Sequence, residues 1–233
     1  MKCNKKLAFT LAEVLITLGI IGVVAAITIP SLITNYEKKA TITKLKKTYS
    51  ELANAVKLSE AENGDISGWD ISNKSEENFD TFLFPYMKAS KKNYPAGSFM
   101  YKFTNGSNGG ALDIVNMNTT VYTLLSGSEV ITLKTNKTNR NYMSIVVDTN
   151  GVKQKPNRLG YDTFYMTIDP QLGFRMSQEN QEEINKGTTT YKTRETLLNG
   201  PASFGYNCKN LGVWCGALIQ RDGWEMKKDY PWK

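Results

Sequence analysis

Apolar and charged positions divide the chain into three parts. Residues 9–36 are almost continuously apolar, and no charged side chain occurs from Val14 to Tyr36. As a helix with a rise of about 1.5 Å per residue, this uncharged run measures about 35 Å, which exceeds the bilayer's hydrocarbon core of about 30 Å. The pattern therefore predicts a helix near the amino terminus that spans a membrane.

The residues that follow predict that this helix continues with an amphipathic character. Apolar side chains recur at steps of three and four residues, and lysines lie between them. The apolar positions are Ile42, Leu45, Tyr49, Leu52 and Val56. Gly64 follows Asn63, and glycine is typical of the left-handed residue that closes a helix. We therefore expect one helix over residues 9–63, with residues 37–63 as its amphipathic half.

Within the apolar half, Pro30 lacks the N–H group that a helix interior requires, so we expect a helix bend at Pro30. Gly19 and Gly22 lower the local stability of the helix. A membrane tolerates such residues where neighbouring groups satisfy the backbone.

Residues 64–233 predict a β-rich globular domain. Short β-rich runs are separated by turn-forming pairs such as Asn105-Gly106 and Asn150-Gly151. The predicted strands are residues 99–103, 111–115, 120–125, 129–133, 142–147 and 163–168. Consecutive short strands favour an antiparallel sheet, and the amphipathic half of the helix is available to cover one of its faces. The predicted fold class is α+β, with a long amino-terminal helix packed on an antiparallel β-sheet.

Composition and charge exclude several function classes. Lys and Arg number 29 against 22 Asp and Glu, a formal charge of +7. Lys2, Lys5 and Lys6 supply three of the positive charges, and the rest are interleaved with acids, so no nucleic-acid binding is indicated. The chain has no histidine, which removes Ser-His and Cys-His nucleophiles and the usual general base. We therefore expect that the protein is not an enzyme.

Glu13 is unusual because it begins the apolar segment. A carboxylate costs roughly 2.5 to 3.5 kcal/mol at the centre of a membrane helix, and less near the interface. A cut after Ala8 would create an α-amino group on Phe9, one helical turn from Glu13. If identical helices pack side by side with an axial stagger, the carboxylate of one can meet the amine of the next and fix the register.

These residues resemble the precursors of type IV pilins and of type II secretion pseudopilins. The shared features are a short basic leader, the small residue Ala8, Phe9-Thr10-Leu11, the acidic Glu13, an unbroken apolar run and Pro30. The chain departs from the family pattern at Ala8, where glycine is usual, and at Ala12, where a branched aliphatic residue is commoner. The resemblance covers only the first thirty residues.

The resemblance implies a pilin-like fold and a route of processing and assembly. Residues 1–8 would be a leader peptide, and a prepilin peptidase would cut between Ala8 and Phe9 and methylate the new amine. Glu13 would be the assembly carboxylate. The implied partners are that peptidase, an assembly platform protein in the membrane, and other pilin or pseudopilin subunits, contacted through the amino-terminal helix.

The same resemblance implies a bacterial protein of the inner membrane. It would cross the membrane once, with residues 64–233 outside the cytoplasm, and would then enter a filament at the cell surface or in the periplasm. The stretch from Gly19 to Pro30 would either bend without a role or unwind when subunits move from bilayer to filament.

Several alternatives stay open. The protein is expected to be a structural subunit of a type IV pilus or of a type II secretion pseudopilus; the alternative is a minor pilin that binds DNA, glycan or exported protein. An ordinary secretory signal cut after Ala26, or an uncleaved anchor, would give an exported or anchored β-rich domain instead.

Two further features concern the β-rich domain. Cys3 would leave with the leader, so Cys208 and Cys215 remain as a pair and predict a disulfide, the alternative being two free buried cysteines. The tail after Cys215 is aromatic, with Trp224, Tyr230 and Trp232. These aromatic residues would either pack on the sheet and on neighbouring subunits or form a binding face.

The last candidate site is a loop rich in oxygen ligands. Its ligands for calcium would be Asp148, Asn150, Asn157 and Asp162. The EF-hand pattern fails because Val152 and Leu159 occupy positions that need oxygen ligands. Two alternatives therefore remain for this loop, a calcium site without the EF-hand pattern or a set of Asx turns that join two strands. No other cofactor is expected.

Overall fold

The computed structural model describes residues 9–71, 75–108, 119–133, 142–178, 192–201 and 205–232. The chain divides into two compact units, Met1–Ala40 and Thr41–Lys233. Helix α1 (Leu11–Asn63) contributes residues to both. It ends at the predicted position, and Gly64 has the left-handed φ of 80° that closes a helix. The predicted functional segments, with boundaries at residues 8, 36 and 63, stay predictions.

In the part of the second unit that the structure describes, the sheet is accompanied by three short α-helices. The helices are α2 (Ser75–Phe82), α3 (Arg194–Asn199) and α4 (Cys215–Arg221). The strands are β1 (Ala89–Tyr94), β2 (Thr119–Leu124), β3 (Glu129–Thr132), β4 (Met143–Asp148), β5 (Thr163–Asp169) and β6 (Gly173–Met176). Each strand pairs antiparallel with the next, in the order β1-β2-β3-β4-β5-β6. The predicted α+β fold, a long amino-terminal helix with an antiparallel sheet, is confirmed.

The central strands are buried on both faces of the sheet. Successive side chains of a strand point to opposite faces. In β4, Ile145 and Val147 belong to one hydrophobic cluster, whereas Val146 between them belongs to another. In β5, Phe164 and Tyr165 divide in the same way. The continuous apolar runs of these strands therefore reflect two cores, one on each face.

The first core lies between the sheet and the amphipathic half of α1. Leu45, Leu52 and Val56 are buried in it, as their spacing predicted, and Ile42 and Tyr49 pack against it. Residues of α2 and α4 complete this cluster. A helix of this amphipathic type is stabilised mainly by such tertiary packing, because isolated helices are marginal in water.

The second core is covered by two loops. Phe99, Tyr101 and Phe103 pack on this face together with Val152 and Leu159. The prediction of a strand at residues 99–103 is therefore wrong, and the chain there forms only single bridges through residue 102. The alternation that suggested a strand arises because every second side chain of this covering segment packs against the sheet.

Two edge strands escaped the sequence prediction. The side chains of β1 are mostly exposed and polar, and β6 has only four residues. β1 carries Lys91 and Lys92, which discourage pairing with other chains at an exposed edge, so it lacks the apolar alternation on which the prediction depended. β6 alternates, with Phe174 and Met176 on either side of Arg175, but it is too short to stand out as a strand in the sequence. The predicted strand at residues 111–115 lies outside the described residues.

We predict that Leu52→Ala lowers the free energy of unfolding by about 2–5 kcal/mol, because it leaves a cavity in the first core. Leu52 is 0% exposed, whereas Leu58, on the same helix, is 54% exposed. Leu58→Ala is therefore the matched control, with an expected effect within about 0.5 kcal/mol. Denaturant unfolding of the full chain in detergent measures both. Equal losses for the two variants would contradict the packing of α1 against the sheet.

Candidate functional site

The described part of the candidate processing site begins at Phe9, and Ala8 lies outside the described residues. Phe9 is exposed. Thr10 directly precedes the first residue of α1, Leu11. The positions that a peptidase and neighbouring subunits would need to reach therefore lie at the start of the helix, on the protein surface.

Thr10 and Glu13 form a reciprocal pair of hydrogen bonds there. The backbone N–H of Thr10 donates to Oε2 of Glu13 at 2.8 Å, and the Thr10 hydroxyl donates to the same oxygen at 2.7 Å. In return, the backbone N–H of Glu13 donates to Oγ1 of Thr10 at 3.2 Å. This is a capping box, in which an N-cap threonine and a glutamate three residues later satisfy each other's backbone groups.

The capping box gives Glu13 a partner within its own chain. The spacing Thr-x-x-Glu in the sequence is typical of such a pair, whereas the expected partner of Glu13 was an amine on another subunit. A carboxylate in the first turn also lies at the positive end of the helix dipole. Two donors and this dipole reduce the cost of placing Glu13 near the membrane interface, and the negative charge stays at the helix start.

The apolar half of α1 is exposed among the residues that the structure describes. All large apolar side chains from Phe9 to Tyr36 are exposed. α1 is long and apolar enough to cross a membrane, and its apolar window is not buried inside the protein. A solvent-exposed surface of this extent needs lipid or other protein to cover it.

The polar side chains inside the apolar half bond to its own backbone. The hydroxyl of Thr17 donates to the carbonyl of Glu13 at 2.9 Å, and that of Thr28 to Val24 at 2.9 Å. The hydroxyl of Thr34 donates to the carbonyl of Pro30 at 3.0 Å. Satisfied hydroxyls are compatible with hydrocarbon. Pro30 lies inside the helix, and the bend expected there stays a prediction.

In the β-rich domain, the predicted disulfide is present between Cys208 and Cys215. It lies beside the oxygen-rich loop, because a Cβ at Gly160 would be only 2.6 Å from Sγ of Cys215. Gly160 also has a φ of 77°, which favours glycine. The loop and the disulfide are therefore in contact, although no spacing in the sequence connects them.

The aromatic tail lies against the same loop. The hydroxyl of Tyr230 donates to the carbonyl of Gly160 at 2.6 Å, and that of Tyr161 donates to the carbonyl of Pro231 at 3.0 Å. The rings of Tyr161 and Trp232 stack at 4.8 Å. The tail thus packs on the body of the domain, and Tyr230 is buried in the first core.

Two carboxylates of the loop hold its turns. Oδ1 of Asp148 accepts the backbone N–H groups of Asn150, at 3.1 Å, and of Gly151, at 2.8 Å. The carboxylate of Asp162 accepts the backbone N–H groups of Asn157, at 2.9 Å, and of Arg158, at 2.7 Å. Asp148 therefore forms an Asx turn, whereas Asp162 accepts from the backbone four and five residues before it. Whether calcium binds there stays a prediction.

Both carboxyls are buried, and their pKa values reflect it. Burial raises the pKa of Asp148 to about 8, and the nearby negative charge of Asp162 adds to the rise. Burial also raises the pKa of Asp162, against the lowering effect of the N–H donors. The loop therefore brings together two carboxyl groups that repel each other when both are ionised.

Comparison with known proteins gives two matches. Residues 31–233 match the Family of unknown function (DUF6613). Residues 3–29 match the Prokaryotic N-terminal methylation motif. No curated protein and no solved structure matches the chain. The motif at residues 3–29, with the long apolar helix that begins within it at Leu11, confirms the predicted resemblance to type IV pilin-like proteins.

We predict that Gly160→Ala lowers the free energy of unfolding by about 2–5 kcal/mol, because the new Cβ meets both an unfavourable φ and Cys215. Gly173→Ala is the matched control, since Gly173 has a φ of 74° but no atom within 4 Å of the added Cβ. That control is expected to lose only about 1–2 kcal/mol. Thermal unfolding with thiol counting measures both effects, and an equal loss in the two would rule out a contribution from the disulfide contact.

Proposed function

The chain belongs to this family of unknown function (DUF6613), and we propose that it is a structural subunit, a pilin or pseudopilin, of a type IV pilus or a type II secretion pseudopilus. The methylation motif supports the first part of this proposal, that the chain is a pilin-type precursor. The observation that carries the proposal is the apolar half of α1, which overlaps that motif and which no other described residue of the chain buries.

The proposal gives this surface two successive environments. Before assembly, lipid covers the apolar side chains of residues 9–36. In a filament, the same side chains pack against the equivalent helices of other subunits. Each environment removes apolar area from water, at about 25 cal/mol per Å². Because lipid and neighbouring helices bury the same apolar area, the transfer of a subunit from bilayer to filament gains little free energy from this burial. The residues at the helix start therefore determine which arrangement is favoured.

In this proposal, Glu13 is the residue at the helix start that favours the filament over the bilayer. In the proposal, one oxygen of its carboxylate accepts from Thr10 in the capping box. The carboxylate also pairs with the methylated amine of Phe9 on a neighbouring subunit. A buried charge pair of this kind fixes the register between helices. Thr10 keeps the carboxylate at the helix start, where a staggered neighbour can approach it.

The proposed location follows from the basic leader. Lysines precede the apolar segment, and the positive-inside tendency places them on the cytoplasmic side of the inner membrane. The β-rich domain would then lie outside the cytoplasm. The partners are a prepilin peptidase, an assembly platform and other subunits, and the chain would catalyse no reaction of its own.

Coexpression of the full chain with a prepilin peptidase is expected to yield a mature terminus at Phe9, heavier by one methyl group. Mass spectrometry of the amino-terminal peptide measures this, and an inactive peptidase is the control. Ala8→Gly, which introduces the residue usual in type IV pilin precursors, is expected to be processed at least as fast. A terminus at Ile27, or an intact leader, would contradict the proposal.

Assembly can be separated from helix capping with two substitutions. Glu13→Gln keeps an oxygen that accepts from Thr10 but loses the charge, so we expect normal processing and no filaments. Thr10→Ala removes the hydroxyl but keeps the charge, and we expect it to weaken the cap by about 1 kcal/mol while filaments still form. Filament yield in sheared fractions measures both. Wild-type filament yield from Glu13→Gln would show that the charge has no role in assembly.

A further inference from the structure

The loop over residues 148–162 contains two amide oxygens with no hydrogen-bond partner. Oδ1 of Asn157 and Oδ1 of Asn150 are buried and, among the described residues, unpartnered. Asn157 is only 7% exposed. Buried polar atoms nearly always have a partner, so each exception in a folded protein needs an explanation.

The amide nitrogens of both side chains bond to the backbone of the loop. Nδ2 of Asn157 donates to the carbonyl of Val152 at 2.7 Å, and Nδ2 of Asn150 donates to the carbonyl of Lys155 at 3.3 Å. Each donor nitrogen is therefore tied to the loop's own backbone. The oxygen of each amide shares the same buried environment, and it can accept but has nothing to accept from.

The carboxylates of this loop have accepting capacity to spare. Asp148 is 0% exposed, and among the described residues its Oδ2 accepts only from the Tyr101 hydroxyl, at the long distance of 3.4 Å. Asp162 is 4% exposed and lies close enough for its charge to act on Asp148. Each ionised carboxylate offers about four lone pairs. The backbone N–H groups and, for Asp162, the hydroxyl of Thr163 at 3.1 Å use only part of this capacity.

The cationic side chains of the loop do not neutralise these carboxylates. The guanidinium of Arg158 donates to the carbonyls of Phe103 and Thr104 and lies over the ring of Tyr161 at 4.3 Å. Lys153 lies over the ring of Tyr94 at 5.9 Å, and Lys155 is exposed. No salt bridge to Asp148 or Asp162 occurs among the described residues.

We propose that this loop binds a divalent cation of the calcium type through the carboxylates of Asp148 and Asp162 and the amide oxygens of Asn150 and Asn157. A divalent ion would neutralise both carboxylates and satisfy both amide oxygens at once. A set made only of oxygen ligands suits hard cations. Calcium takes six to eight oxygens in flexible geometry, so water completes the four protein ligands, whereas Mg²⁺ demands a regular octahedron.

The loop is held in place independently of any ion. The hydroxyl of Tyr230 bonds to Gly160, and the backbone N–H of Thr149 donates to the carbonyl of Asp162 at 2.7 Å, which joins the two ends of the loop. Val152 and Leu159, which break the EF-hand pattern, are buried in the second core. Because the frame is already ordered, an ion gains affinity without the cost of ordering the loop.

Calcium titration of the full chain in detergent, after removal of metal with EDTA, tests the proposal. Isothermal calorimetry is expected to give one site per chain with half-saturation between about 10 μM and 1 mM, the range of sensor and extracellular sites. Tb³⁺ luminescence, excited through nearby tyrosines such as Tyr101, is expected to rise and to be displaced by calcium. Absence of both signals at millimolar calcium, or equal affinity for Mg²⁺, would overturn the proposal.

Three variants distinguish a ligand role from a purely structural one. Asp148→Asn keeps Oδ1 for the backbone donors, so we expect unfolding in EDTA at a temperature no lower than wild type but calcium affinity reduced more than about tenfold. Asn157→Asp is expected to do the opposite, with lower stability in EDTA and tighter calcium binding. Asn157→Gly suits the φ of 47° at this position and is expected to weaken binding.

Asp65→Asn is the matched control. Asp65 also accepts a backbone N–H, from Ser67 at 2.9 Å, but it is exposed and lies at a different turn. Its calcium titration is expected to match that of the wild type. If Asp148→Asn and Asn157→Gly also match the wild type, the four residues are only turn formers and the cation site is refuted.

Discussion

The organisation of this protein depends on one constraint: the first half of α1 carries apolar surface that the chain does not bury. An ordinary soluble domain would fold such a helix into its core. Here the side chains from Phe9 to Tyr36 are exposed, so their burial must come from lipid or from other helices. The capping box follows from the same constraint. A carboxylate can begin such a segment only if local donors and the helix dipole reduce the cost of its charge, and Thr10 provides the donors.

The second unit must consequently be stable through its own packing. It achieves this by covering both faces of one antiparallel sheet. The amphipathic half of α1 packs on the first face, and loops that carry Phe99, Tyr101 and Leu159 cover the second. The disulfide between Cys208 and Cys215 and the tail residue Tyr230 then fasten the loop at Gly160. Three separate chain segments thus converge on one loop, and this convergence makes its buried polar groups possible.

Sequence periodicity revealed what is local or regularly alternating. The end of α1 followed from Gly64, and strands β2 to β5 followed from their apolar residues. Strand β1 was missed because an exposed edge strand has no apolar alternation, and residues 99–103 were misassigned because a covering segment imitates it. The contact between Tyr230 and Gly160 joins residues 70 positions apart. No local pattern encodes such a contact, so only the folded structure brings the tail, the disulfide and the loop together.

The two family matches lie on either side of Pro30, since one covers residues 3–29 and the other residues 31–233. The methylation motif therefore accounts for the segment that needs lipid or other helices, and the family of unknown function accounts for the self-sufficient domain. These parts obey different physical requirements. The first must expose apolar surface, whereas the second can place polar and charged groups in its interior if they are satisfied. In the loop from Asp148 to Asp162, two amide oxygens lack a partner among the described residues, so this is a place where the second part does so incompletely.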